Sequence, residues 1–323
     1  MSLETFSTVL STSTHTFAHP LPAELLMASE GKLQTFYAPF DHINTSARIV
    51  ICGITPGMQQ ARLALNEARQ QLREGASIEK AKQTAKETGS FAGTLGNNLV
   101  RMLDHVGVHT LLQIDSCARL FSSHRHLLHS TSALRYPVFV DSKDYNGSPA
   151  ILSRASLRHQ VDTYLAEEIR ALGPQCLYVP LGPKVTEVFQ HLQAKGLLKN
   201  EQLLDGLPHP SGANAERISY FLGGKPREKL SKQTNPASLD AAKARLLAKL
   251  PFSVTHLLVK DARESLLSSQ LSTGYFSCRS HRLGWGGNTT FSHAGLAQLT
   301  AQQSKRPGLQ IRFFLLILGN AFF

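Results

Sequence analysis

His209 stands between Pro208 and Pro210 in the stretch GLPHPSGANAER, residues 206–217, and Ser211, Gly212, Ala213 and Asn214 follow it. The two prolines remove two backbone donors and restrict the conformations open to the loop. The imidazole is therefore held more firmly than a plain turn requires. A tight surface turn uses the same residue types, so the rest of the chain has to decide between the two. A second short stretch, Gly53-Ile54-Thr55-Pro56-Gly57, closes an apolar run. Its Thr55 can hydrogen-bond a water but has no basic group near neutral pH. Asp115 follows another apolar run, and Asp141 and Asp144 lie in VDSKDYNG. These carboxylates are candidate acids or bases; the plainer alternative is that they cap turns or face solvent.

Such groups must be positioned by regular elements. Three runs read as buried strands: ARIVICGI near 47–54, TLLQIDSCA near 110–118 and QCLYVPLG near 175–182. Each ends at a glycine, proline or polar turn. Helical spacing appears at 96–107, at 153–173 and from Pro183 to Gly196, where proline opens and glycine closes the pattern. Alternation of strand and helix predicts an α/β fold, a central mostly parallel sheet with helices on both faces. Ligands bind beyond the carboxyl ends of such strands, which draws attention to GITPG and to Asp115. Residues 61–87 read as a charged helix or helix pair with a solvated face.

The chain has 323 residues and a net charge of +11, which suggests a polyanionic partner, nucleic acid by default. Its four cysteines, Cys52, Cys117, Cys176 and Cys278, form no C-x-x-C pair, so neither a zinc site nor an iron–sulfur cluster is expected. No signal peptide or membrane span is read, and a reduced, cytoplasmic setting is expected. No P-loop, G-x-G-x-x-G or G-x-S-x-G motif is present, and no cofactor is expected. Composition shifts near residue 250: residues 251–323 carry seven Lys/Arg against two Asp/Glu and the single tryptophan, Trp285. The expected organisation is a catalytic domain over 1–250 and a C-terminal extension over 251–323.

A strand ending in GITPG and a later HPSG loop, residues 209–212, resemble the uracil-DNA glycosylase superfamily over roughly residues 45–225. The resemblance implies a three-layer α/β/α domain that extrudes a nucleotide from DNA and cleaves its N-glycosidic bond. It makes His209 the donor that stabilises negative charge developing on the leaving pyrimidine. It also implies a base pocket formed by Gly53, Ile54, Gly57, Phe91 and Asn97, with Phe91 stacking on the base. Ser211, Gly212, Ala213, Asn214 and Arg217 would meet DNA, with Gly212–Asn214 as a small wedge. Arg119, Lys225, Arg227 and Lys229 are weaker phosphate contacts.

The chain departs from the family pattern at Thr55, where relatives place an acid or amide that handles the attacking water. Asn97 or Asn98, or one of the loop acids, is the expected substitute. Gly57 leaves the C5 side of a pyrimidine open, or simply permits the turn. Asp115 stands where relatives commonly have a base-reading asparagine, and a carboxyl group suits cytosine. The expectation is a monofunctional DNA glycosylase, with 5-modified cytosine of phage DNA as target and antiviral defence as its setting. Uracil or thymine excision is the alternative, and a non-enzymatic nucleic-acid binder on the same fold is the second.

Overall fold

The structure is a computed structural model that describes residues 2–12, 17, 21–90 and 94–250. The C-terminal extension and the ring of Phe91 lie outside the described residues. Helix α1 (Leu3–Thr12) leads into strands β1 (Leu26–Glu30), β2 (Leu33–Phe36) and β3 (Ile49–Gly53). Helices α2 (Met58–Arg73), α3 (Ile78–Gly89), α4 (Thr94–His105) and the single turn α5 (Val108–Leu111) follow. Next come β4 (Leu128–Ser132), β5 (Val138–Val140) and β6 (Lys143–Asp144). Helices α6 (Ala155–Gln160) and α7 (Ala166–Leu172), joined by a π turn, precede β7 (Leu177–Pro180), α8 (Pro183–Ala194) and α9 (Ala215–Phe221). Residues 236–250 are also helical.

The fold is α/β. Strands β4, β3 and β7 form a parallel sheet in that order, with β3 in the middle. Leu203 extends it by pairing in parallel with Tyr178, and the Leu204 amide donates to the Tyr178 carbonyl at 2.8 Å. Along β3 the side chains alternate between two cores, as the strand period requires. Val50 and Cys52 face α6, α7 and α8, whereas Ile49 and Ile51 face α4, α5 and α9. This alternation makes three layers and explains why the whole strand is apolar.

A second, antiparallel sheet runs β1-β2-β5-β6. Its β5–β6 hairpin turns through Asp141 and Ser142, both at positive φ (47° and 63°), as a two-residue type I′ connection needs. Helices α1, α2 and α3 pack with this sheet through Phe6, Tyr37, Leu65 and Phe139. The charged stretch 61–87 is therefore a helix pair with a buried seam: Ala61, Ala64, Leu65, Ala68, Ala81 and Ala85 are inaccessible. Lys82 and Lys86 are buried there too, so the face is not simply solvated.

One expected strand is not a strand. Residues 108–111 form a helical turn with Gly107 at its N-terminus, and residues 117–121 a 3-10 turn. Val108, Leu111 and Leu112 bury one helical face, so their spacing, not their β-propensity, decided the outcome. The sheet position beside β3 belongs to LHSTS, Leu128–Ser132. Its polar composition concealed it, because β4 is an edge strand whose end opens into a cleft. Cys52, Cys117 and Cys176 are buried and form no disulfide with one another. Among the described residues, no helix is long and apolar enough to cross a membrane.

Candidate active site

All the parallel segments deliver their carboxyl ends to one side of the sheet, and a cleft of about 420 Å³ opens there. Gly53, Ile54, Thr55, Pro56 and Gly57 line it from the end of β3, and Ser130, Thr131 and Ser132 from β4. Leu181 follows β7, and His209 comes from the loop beyond Leu203. Arg135, Asp144 and Tyr145 line it on the side of the antiparallel sheet, and Gln59, Gln60 and Leu63 of α2 add a further wall. Sites that are far apart in the sequence, GITPG and His209, thus share one cavity.

The imidazole of His209 has a defined proton state. The Ser211 amide donates to Nδ1 at 3.3 Å, which leaves the ring proton on Nε2. Burial pushes its pKa below the ordinary histidine value, so the ring is neutral at neutral pH. The result is a neutral donor. Asn98 on α4 donates to the Pro210 carbonyl at 3.0 Å and holds the loop from behind. Asn98 is thereby used in positioning the loop, and its neighbour Asn97 is exposed and absent from the cleft lining. The tip is exposed at Gly212 and Ala213. Asn214 donates to Ser211 Oγ at 3.1 Å and accepts from Arg217 at 2.9 Å, a relay along one face of the loop.

Thr55 lines the cleft, but its hydroxyl has work elsewhere. It donates to the Tyr136 carbonyl at 3.1 Å and accepts from the Val138 amide at 3.2 Å. Those bonds fasten the GITPG loop to the start of β5. They also fix where the β5–β6 hairpin, and with it Asp144, arrives. Asp144 Oδ1 accepts from the Met58 amide at 2.8 Å, at the N-terminus of α2, where a carboxylate is favoured by the helix dipole. A Cβ at position 57 would lie 2.9 Å from Asp144 Oδ2. The space beside Gly57 is therefore not open: the Asp144 carboxylate fills it. Asp141, the other loop acid, points away to Lys32 at 2.8 Å.

Asp115 does not reach the cleft. It sits in the turn after α5, its side chain is 90% exposed, and it lies 3.7 Å from Arg119. Its expected place at a strand end depended on a strand that the chain does not form; Ser132 occupies that place. Among the basic candidates, Lys225 pairs with Glu216 at 2.6 Å and Arg227 with Asp240 at 3.9 Å.

Beneath the cleft lies a buried ionic cluster that the sequence did not announce. Glu168 on α7 is fully buried and accepts from Arg135 Nε at 2.6 Å. His129 Nδ1 accepts from the Asn44 amide at 3.3 Å, so its Nε2 donates to Glu168 at 2.9 Å. Lys86 is 5% exposed and donates to the His42 carbonyl at 2.7 Å. Burial lowers the Lys86 pKa to about 8, with Glu168 opposing that shift. Burial also works against ionised Glu168, yet Lys86, His129 and Arg135 together hold its carboxyl well below the usual range. Burial, with the charge of Lys86, lowers His129 to about 4. Only the helical position of Glu168 on an otherwise apolar face hinted at such a group. Among the described residues, no cluster of His, Cys, Asp and Glu has the arrangement to hold a metal ion.

Comparison with known proteins finds no matching family model and no matching solved structure. The chain is 36% identical over 206 residues to the uncharacterized protein YoxB of Bacillus subtilis (strain 168). That alignment takes in 63% of this chain and 80% of YoxB.

Proposed function

The chain belongs to one family with YoxB, and from that premise and the cleft we propose that it is a monofunctional DNA glycosylase of the uracil-DNA glycosylase superfamily. The relative is itself uncharacterized, so the reading rests on the site. One observation carries it: GITPG and the HPSG histidine, from opposite ends of the domain sequence, line a single cleft at the carboxyl ends of parallel strands. The cleft has the size of a small-molecule site. A pyrimidine turned out of DNA enters it, and the C1′–N bond breaks with its electron pair moving onto the base. The neutral His209 Nε2–H meets that charge as it develops, which lowers the barrier without requiring a charged acid. The exposed tip at Gly212 and Ala213, with Arg217 behind it, faces the DNA, and the net charge of +11 draws the polyanion in.

Neither feature that favoured a 5-modified cytosine stands open at the site. Asp115 is outside the cleft, and the space beside Gly57 holds a carboxylate. Ser132, whose hydroxyl both donates and accepts, fits either pyrimidine edge. The proposal is therefore release of a pyrimidine. Its test is incubation of the protein with oligonucleotides carrying uracil, thymine mismatches, cytosine or 5-hydroxymethylcytosine, with released base identified by mass spectrometry. Release of one of these bases, lost by about 10²–10³-fold in His209→Ala with DNA affinity retained, supports the reading. DNA binding without release from any substrate refutes it and leaves a non-enzymatic binder on this fold.

A further inference from the structure

Hydrolysis of the C1′–N bond needs a water held and deprotonated on the sugar, and Thr55 cannot serve. Its hydroxyl donates to one backbone group and accepts from another, and an alcohol is no base at neutral pH. The GITPG loop must then obtain its base from another element. We propose that Asp144, delivered by the β5–β6 hairpin into the space that Gly57 leaves by having no side chain, is the catalytic residue that holds and deprotonates the attacking water.

The inference rests on the glycosylase reading and adds the group that reading lacks. Three observations support it. Asp144 lines the same cleft as His209. Its Oδ1 is anchored by the Met58 amide at 2.8 Å, whereas no described residue hydrogen-bonds Oδ2, the atom 2.9 Å from where a Cβ of residue 57 would stand. One oxygen is thus fixed and the other is free to accept from water. The third observation is how the carboxylate is held in place. The hairpin carrying it is closed by a two-residue turn, and Thr55 ties the neighbouring start of β5 to the GITPG loop. Thr55 fixes the loop, and Asp144 supplies the carboxylate.

In the step itself, the C1′–N bond breaks and its electrons go to the base, which His209 stabilises and solvent protonates. Water forms the new C1′–O bond, and its proton passes to Asp144 Oδ2 and then to solvent. A carboxylate at this place also stabilises the positive charge that develops on the sugar.

Asn at position 144 keeps an acceptor for the Met58 amide and removes the base, so Asp144→Asn separates catalysis from capping. Gly57→Ala leaves the acid in the chain but pushes its carboxylate aside; the backbone there, φ −79° and ψ 173°, accepts alanine. Base release under single-turnover conditions is measured for both variants, for Asp144→Ala with added formate, and for the double variant, on the oligonucleotide that the unaltered protein cleaves. Each single variant is expected to slow release about 10²–10⁴-fold with DNA affinity retained; Asp144→Asn, which keeps the acceptor for the Met58 amide, is also expected to keep its thermal stability. The double variant should be no slower than Asp144→Asn, and formate should restore part of the Asp144→Ala rate. Asp144→Asn within about threefold of the unaltered rate overturns this role for Asp144 while leaving the glycosylase reading intact. Absence of base release by the unaltered protein removes that reading and this role with it.

Discussion

Glu168→Gln tests the buried cluster beneath the cleft. The substitution keeps the shape and one acceptor oxygen but removes the carboxylate's charge from a fully buried position. Two contacts are affected, from Arg135 Nε at 2.6 Å and from His129 Nε2 at 2.9 Å. The new amide can accept from one of them and must turn its NH₂ toward the other. Breaking one partner of a buried ion pair costs about 3–5 kcal/mol, chiefly because a charge is left uncompensated. Arg135 retains half-exposed Glu167 at 3.2 Å and the Tyr164 carbonyl at 2.8 Å, which places the cost at the lower end, about 3 kcal/mol. That is a large part of the 5–15 kcal/mol typical of a domain. Urea denaturation at pH 7 measures it as a fall in midpoint at unchanged slope.

Lys86 supplies the internal control. Once Glu168 is neutral, its buried ammonium keeps the His42 carbonyl as its one hydrogen-bond partner among the described residues and loses its main counter-charge, with Asp41 the weaker one left, so Lys86→Met in the Glu168→Gln background is expected to recover stability. In the native background the same change removes a cation that Glu168 uses and is expected to destabilise. The sign reversal is the signature of direct coupling. A Glu168→Gln loss below about 1 kcal/mol, or Lys86→Met effects of the same sign and size in both backgrounds, refutes the charge-balance argument, since a merely structural pair would lie near that value.

Three further outcomes follow from the site. Folding depresses the His129 pKa from 6.5 to about 4, so between those values the unfolded chain binds the extra proton; stability is full above pH 6.5 and is lost as pH falls toward 4, by about 3 kcal/mol. His129→Gln should flatten that slope in urea titrations between pH 4 and 7, and an unchanged slope would falsify the assignment. Thr55→Val strands the Val138 amide and removes the Thr55 hydroxyl from the Tyr136 carbonyl, and is expected to cost about 1–3 kcal/mol, with Thr55→Ser restoring most of it; thermal melting checks both, and a Val variant as stable as the native protein contradicts the tether. Asp115→Asn should leave base preference and rate within about twofold, the ordinary outcome for an exposed group away from the site; a switch in the base released would return Asp115 to the site.

The elements that are apolar on both faces were legible in the sequence. β3 and β7 announce themselves because both are apolar runs buried on both faces, Ile49–Cys52 in one and all of Leu177–Pro180 in the other. α8 is legible too, because Pro183 and Gly196 mark its ends. β4 was not, since an edge strand ending in a cleft can be rich in Ser, Thr and His, and its polar run gives no periodic signal. Residues 110–118 read as a strand place Asp115 at a strand end, and the helical turn that forms there instead leaves Asp115 exposed beside Arg119.

GITPG and the proline-flanked His209 could be singled out from the sequence because their constraint is local. Prolines fix a loop, and a loop after a strand points where the strand points. The sequence by itself determined the α/β layering, the two motif loops and the basic charge that favours a polyanion. Only the tertiary structure decided that Thr55 is a tether, that Asp144 and not Asp141 reaches Gly57, and that Glu168 gathers His129 and Arg135 beneath the cleft. The reason is distance along the chain: Gly57 and Asp144, or Arg135 and Glu168, meet only through sheet register and helix packing. Those depend on every intervening element, and no local pattern of residues encodes them.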